Sequence, residues 1–212
     1  VSGASATITN SGTIFGTAQR AISLNSSGHT ITNESDGTIE AGESGWDISG
    51  GTDRLAVELD TNATNVILNN YGTINAGSNT VKTESTGMTL TNYSGGTISA
   101  QSEQGDIENG DPILKAIFVD GHNNTIKNYG TISGAGDTDS INIDSGVIGT
   151  KIYVDGAPTF TGEVELNNST VAGNTTMYLG CSMTQDTTIE IHNHGGALNV
   201  ENNLCGNDTY TL

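Results

Sequence analysis

Ile126-Lys127-Asn128-Tyr129-Gly130-Thr131-Ile132 has close copies at four earlier places in the chain. They read Ile8-Thr9-Asn10-Ser11-Gly12-Thr13-Ile14, Ile31-Thr32-Asn33 through Gly37-Thr38-Ile39, Leu68-Asn69-Asn70-Tyr71-Gly72-Thr73-Ile74, and Leu90-Thr91-Asn92-Tyr93 through Gly96-Thr97-Ile98. After a variable gap each copy is followed by a second pair of apolar or β-branched residues flanking one residue: Ile22/Leu24, Val57/Leu59, Val81/Thr83, Ile117/Val119 and Ile141/Ile143. This is an internal repeat, and a repeat has to be read before any single element.

The spacing says what the repeat builds. The last Ile of the motif falls at positions 14, 39, 74, 98 and 132, so the steps alternate between short and long, 25, 35, 24 and 34 residues. Short apolar/polar alternations separated by Gly, Asn, Ser and Asp are strands joined by turns, with Ile and Leu on one face. A unit of roughly 22–25 residues holds about three such strands. The pattern therefore predicts an all-β chain, a right-handed parallel β-helix (β-solenoid) in which equivalent Ile, Leu and Val stack inside and each coil pairs with its neighbours. About eight coils of three short strands give a rod of roughly 40 Å at the strand spacing.

The extra residues of the two long steps fall at Glu43 to Asp53 and Gln101 to Pro112. They lie two coils apart at one point of the repeat, so they are expected as two longer loops side by side on one edge. Residues 1–146 carry the regular repeats, and 147–212 read as a less regular continuation of the same solenoid. A separate C-terminal β-sandwich is the alternative. The strand-like segments there are Lys151 to Val154, Thr159 to Leu166, Thr175 to Leu179, Thr187 to His192, Ala197 to Glu201 and Thr209 to Leu212.

Composition narrows the partners. Only 33% of the 212 residues are hydrophobic, which would suggest disorder if the apolar positions did not recur in register. Six basic against 24 acidic residues give a net charge of −18, which repels phosphate backbones and anionic bilayers alike. Nucleic acid and membrane insertion are therefore not expected. No apolar run approaches the ~20 residues of a membrane-spanning helix. The chain starts at Val1 with strand-like sequence, in keeping with a removed signal peptide or a segment of something longer, and both point outside the cell.

The Asn-x-Gly-Thr-Ile pattern, as in Asn10 to Ile14 and Asn128 to Ile132, resembles the passenger domains of bacterial autotransporters and related large surface adhesins. The resemblance covers residues 1 to about 146 well and the rest loosely. It implies an exported, extracellular β-helical rod at the cell surface, working in adhesion or as a surface structure. Solenoids of this look also occur in phage tail proteins, so a tail spike or fibre, or a glycan-binding or glycan-degrading β-helix, is the alternative.

Individual residues add candidates. Asn10, Asn33, Asn70, Asn92 and Asn128 recur at one position of the repeat, and inward-pointing amides there would form a coil-to-coil ladder. Cys181 and Cys205 are 24 residues apart, one coil of the repeat, which would allow a disulfide between adjacent coils; a disulfide closing an irregular loop, or two buried thiols, are the other readings. Trp46 sits in the first insertion, where it would contact sugar or protein, or hold the loop down. Carboxylates in the two insertions, Glu43, Asp47 and Asp53 beside Glu103, Asp106, Glu108 and Asp111, are weak calcium candidates if the loops lie together. Gly134 to Asp139 resembles one degenerate calcium nonapeptide, which needs tandem copies. Glu190, His192 and His194 share one strand face; a His-x-His pair can bind zinc or copper, but no third or fourth ligand is identifiable by spacing.

No catalytic constellation emerges. The only Arg are Arg20 and Arg54, no Asp-Asp occurs, and the charge would repel a polyuronate. No enzyme activity and no cofactor beyond calcium are expected. The expected partners are the chain itself, through head-to-tail or filament assembly of uncapped coils, and a cell-surface glycan or protein.

Overall fold

The computed structural model describes residues 3, 5–17, 19–42, 54–101, 107–108, 111–112, 115–135, 138–167, 174–183, 189–194 and 197–202. Among these there is no helix, and the strands form three long parallel sheets. The first sheet holds Thr7–Asn10, Thr30–Asn33, Ile67–Asn70, Thr89–Asn92, Thr125–Asn128, Lys151–Val154, Asn174–Leu179 and Ala197–Asn202, in that order. The second holds Thr13–Gly16, Thr38–Ala41, Thr73–Ala76, Thr97–Ala100, Thr131–Ser133 and Thr159–Thr161. The third holds Arg20–Leu24, Leu55–Leu59, Val81–Thr83, Ile117–Val119, Ile141–Ile143, Val164–Leu166 and Ile191–Asn193. A chain that visits three sheets in turn, pairing each strand with its equivalent one circuit later, is a parallel β-helix, here of about seven to eight coils.

Register explains the repeat. Ile8, Ile31, Leu68, Leu90, Ile126, Ile152 and Met177 are partners along the first sheet. Ile14, Ile39, Ile74, Ile98, Ile132 and Phe160 are partners along the second. Ile22, Val57, Val81, Ile117, Ile141, Val164 and Ile191 run along the third. These columns converge in one continuous core, fully buried from Leu24 to Leu166 at most positions. Each buried Ile, Leu or Val contributes about 1.5–3 kcal/mol, so three or four per coil suffice for a thin rod, and the low hydrophobic content follows.

The corner from the third sheet to the first is built by an alternation the sequence hides. The residues two before the second to sixth strands of the first sheet are Gly28, Asn65, Gly87, Asn123 and Gly149, and all five have positive φ, from 54° to 77°. Asparagine tolerates this conformation and glycine adopts it freely. The alternation has a steric cause: a Cβ on Gly87 would lie 2.8 Å from the Asn65 Oδ1 of the preceding coil, and a Cβ on Gly149 would collide with Asn123. An Asn side chain on one coil thus occupies the room that a Cβ on the next would need.

The two insertions leave from one edge. Both lie between the second and third sheets, after Ala41 and after Ala100, which are register partners of the same residue, Ala76. In the second insertion Ile107–Glu108 pairs antiparallel with Asp111–Pro112. The first returns at Arg54, whose backbone N–H donates to Ser78 Oγ (2.9 Å) while the Ser78 hydroxyl donates to Arg54 O (3.0 Å). Beyond residue 146 the sheets continue: Lys151–Val154 pairs parallel with Thr125–Asn128, and the first sheet runs on to Asn202.

Candidate functional site

The motif asparagines close the corner between the first and second sheets. Each one's Nδ2 donates to the Oδ1 of its equivalent on the next coil: Asn10 to Asn33, Asn33 to Asn70, Asn70 to Asn92 and Asn92 to Asn128, each at 2.9 Å. The same amides also donate to turn carbonyls, Asn70 to Gly72 O and Thr97 O at 3.1 Å. All the donation runs one way along the rod. The ladder stops where Val154 takes the place of the next asparagine, and there Asn128 Nδ2, although buried, has no hydrogen-bond partner among the described residues. The ladder occupies these five side chains in holding coils together, a structural task.

Chemistry concentrates instead on the outward face of the third sheet, in its last three described strands. The outward column there reads Asn142, Glu165, His192. His192 Nδ1–H donates to Glu163 Oε2 at 2.6 Å, and its Nε2 lies 3.8 Å from Glu190 Oε1. His194 Nε2 is 3.2 Å from Glu165 Oε1. Asn142 Nδ2 donates to Glu165 Oε2 and, at 2.7 Å, to Asp139 Oδ2. Burial, and after it a hydrogen bond shared with Glu165, push Asp139 up to about 6, against the lowering effect of Asn142. Three successive coils therefore bring four carboxylates and two imidazoles onto one partly exposed surface.

Tyrosine forms a second feature. Tyr71, Tyr93 and Tyr129 each follow a ladder asparagine and line up outside the same corner. The Tyr71 and Tyr93 rings are stacked with centroids 4.0 Å apart, and Tyr93 and Tyr129 lie 6.5 Å apart. On the first sheet Tyr153 stacks on Tyr178 at 4.4 Å, with Lys127 Nζ 5.8 Å from the Tyr153 ring centroid. Parallel stacking covers the ring faces that a sugar would need, so these rings mainly fasten coil to coil and leave edges and hydroxyls to solvent.

The structure brings Asn10, Asn33, Asn70, Asn92 and Asn128 into one ladder, and places Glu190, His192 and His194 along one outward stretch. Trp46, Asp47, Asp53 and Asp106 lie outside the described residues, as do Glu43, Glu103 and Cys205; the Glu108 and Asp111 backbones belong to the small hairpin. Cys181 is exposed in the turn after Asn174–Leu179 and is not a free thiol. Sequence reasoning missed Glu163 and Glu165. Both sit 27 residues before their cross-coil partners Glu190 and His192, a step outside the regular repeat, so only register reveals the pairing. The tyrosine column was open to detection, since Asn-Tyr recurs at 70–71, 92–93 and 128–129. Compared with protein-family models, curated proteins and solved structures, the chain matches none.

Proposed function

We propose that this chain is a structural and adhesive rod of the extracellular surface, a β-solenoid of the kind seen in autotransporter passengers and surface adhesins, whose coils stack from copy to copy into a fibre. One observation carries this reading. Each described coil pairs with the next through three parallel sheets held in one register, so the rod is built from units that add along its axis by backbone pairing. Unpaired strand edges recruit further strands, and head-to-tail addition of identical units that does not close makes a filament. The two insertions on one edge would then repeat along the fibre as contact surface, with Trp46 and the loop carboxylates, calcium-bridged or solvated, among the contacts. A disulfide between Cys181 and Cys205 would secure the less regular end of each unit.

A tail-fibre or glycan-binding β-helix is the second reading, favoured by the half-exposed Tyr71 at the open end of the tyrosine stack. Electron microscopy with sedimentation of the purified chain separates the two. Filaments with an axial repeat near ~40 Å, about eight coils at the strand spacing, support fibre assembly. Discrete trimers that bind or cleave a polysaccharide panel support the second reading. A chain that stays monomeric at high concentration and binds neither cells nor glycans refutes both.

A further inference from the structure

The third-sheet face of the last coils holds an arrangement that neither rod-building nor adhesion requires. Glu163, Glu190 and His192 each offer one ligand atom, and these three atoms lie within 4.8 Å of one another. They come from two coils: Glu163 directly precedes the strand Val164–Leu166, while Glu190 and His192 flank Ile191, the register partner of Val164. We propose that this trio is a site for a first-row dication of the zinc class, bridging the two coils.

Three features support the assignment. First, the donor set is one imidazole with two carboxylates, which suits zinc, whereas calcium favours oxygen alone. Second, the imidazole is already oriented. Its Nδ1 faces Glu163 Oε2 at 2.6 Å, while Glu190 Oε1 lies 3.8 Å from the other ring nitrogen, too far for a hydrogen bond. Ligands about 2.0–2.1 Å from a common tetrahedral ion stand roughly 3.3 Å apart, so an ion that takes the place of the shared proton parts Nδ1 and Glu163 by roughly 0.7 Å, and Glu190 swings in to complete the trio. Glu190 and His192 have side chains 67% and 49% exposed, free to make that swing and to leave a fourth position open to water. Third, the chain carries a net charge of −18, and Glu165 and Asp139 stand beside the trio, so the local field gathers cations. Binding requires a deprotonated imidazole and releases any proton held there, and it replaces the Glu163–His192 hydrogen bond by two bonds to the ion. The ion would fasten the outward face of the two coils just where the asparagine ladder, which ends at Asn128, no longer does so.

The test is calorimetric titration of Zn²⁺ into the metal-stripped, unreduced chain. The expected result is one saturable site, weakened on the order of tenfold or more by Glu163→Gln, Glu190→Gln or His192→Gln, and unchanged by His122→Gln. Because these variants could alter packing, Co²⁺ added to the unsubstituted, isotope-labelled chain provides an independent readout. Paramagnetic shifts should centre on the amides of Glu163, Val164 and residues 190–192. Absence of saturable binding overturns the proposal. So does an affinity lost with His194→Gln but retained with Glu163→Gln, or a paramagnetic centre elsewhere in the chain.

Discussion

Replacing Asn70 by Asp, an almost isosteric change, tests the direction of the asparagine ladder. Asn70 Nδ2 faces three acceptors, Gly72 O and Thr97 O at 3.1 Å and Asn92 Oδ1 at 2.9 Å, while its Oδ1 accepts from Asn33 Nδ2 at 2.9 Å. A carboxyl there sets a second oxygen against three oxygens in a fully buried position. The less costly form is protonated, because its single O–H still donates. Holding a carboxyl protonated at pH 7 against an ordinary value near 3.9 costs about 4 kcal/mol, and the lost N–H donor adds about 1. Asn128 is the control, since its Nδ2 has no partner among the described residues while its Oδ1 accepts from Asn92 Nδ2 at 2.9 Å and Gly130 N at 3.1 Å. Asn128→Asp removes no hydrogen bond, and two N–H donors favour the charged form, leaving a desolvation cost of about 1–2 kcal/mol. Asn70→Asp should therefore be at least ~2 kcal/mol the more destabilising of the two at pH 7.

The sign of the pH dependence follows. The carboxyl introduced at position 70 has a folded pKa raised above its unfolded value, so its penalty is small below about pH 4 and grows as pH rises. Urea unfolding followed by circular dichroism at pH 4 and pH 7 gives the difference. Amide exchange along the first sheet locates it, because repeat arrays can unfold coil by coil. The reasoning is refuted if Asn128→Asp costs as much as Asn70→Asp at pH 7, or if the Asn70→Asp penalty does not shrink at pH 4.

Asp139, raised to about 6 by burial and by its bond to Glu165, contributes stability only while protonated, so that contribution is lost as pH rises through about 6. Asp139→Asn should raise the urea midpoint at pH 7 by an amount worth about 1–3 kcal/mol, and leave it nearly unchanged at pH 4. Gly87→Ala, with φ at 77° and its new Cβ 2.8 Å from Asn65 Oδ1, should cost at least ~2 kcal/mol. Adding Asn65→Gly should recover the steric share in a double-mutant cycle, and additive costs would refute the alternation argument. Ile98→Ala, fully buried in mid-rod, should cost about 2–5 kcal/mol in thermal or urea unfolding, clearly more than Ile14→Ala on the half-buried first coil. Thiol titration of the denatured, unreduced chain should find no reactive cysteine if Cys181 and Cys205 are joined, and two would exclude the disulfide.

What was legible in the sequence is what points inward. The Ile and Leu of the motif and the pairs Ile22/Leu24 to Ile141/Ile143 recur because the column inside a β-helix tolerates only apolar volume. Their spacing therefore revealed strands, coils and the shared edge of the two insertions. The ladder asparagines were legible for the same reason, as buried side chains that must satisfy one another. The corner alternation of Gly28, Asn65, Gly87, Asn123 and Gly149 was not, because two residue types fill one conformational role and the pattern has a period of two coils. Glu163 and Glu165 escaped because the later coils have an irregular step, and a one-residue change of step moves every side chain to the other face.

The same register separates what specifies the fold from what can serve function. One inward column of the third sheet runs Ile22, Val57, Val81, Ile117, Ile141, Val164 and Ile191, a single kind of side chain throughout. The outward column beside it runs Ser23, Glu58, Lys82, Phe118, Asn142, Glu165 and His192, six residue types in seven coils. Folding constrains the first and leaves the second to other demands, so a contact site on this rod is assembled across coils from residues far apart in sequence. Arg20 with Glu58 (2.6 Å), Asn142 with Glu165, and Glu163 with His192 (2.6 Å) are all pairings of that kind. Short linear motifs do not capture such a surface; the columns do, and they direct attention to the three coils where carboxylates and imidazoles meet.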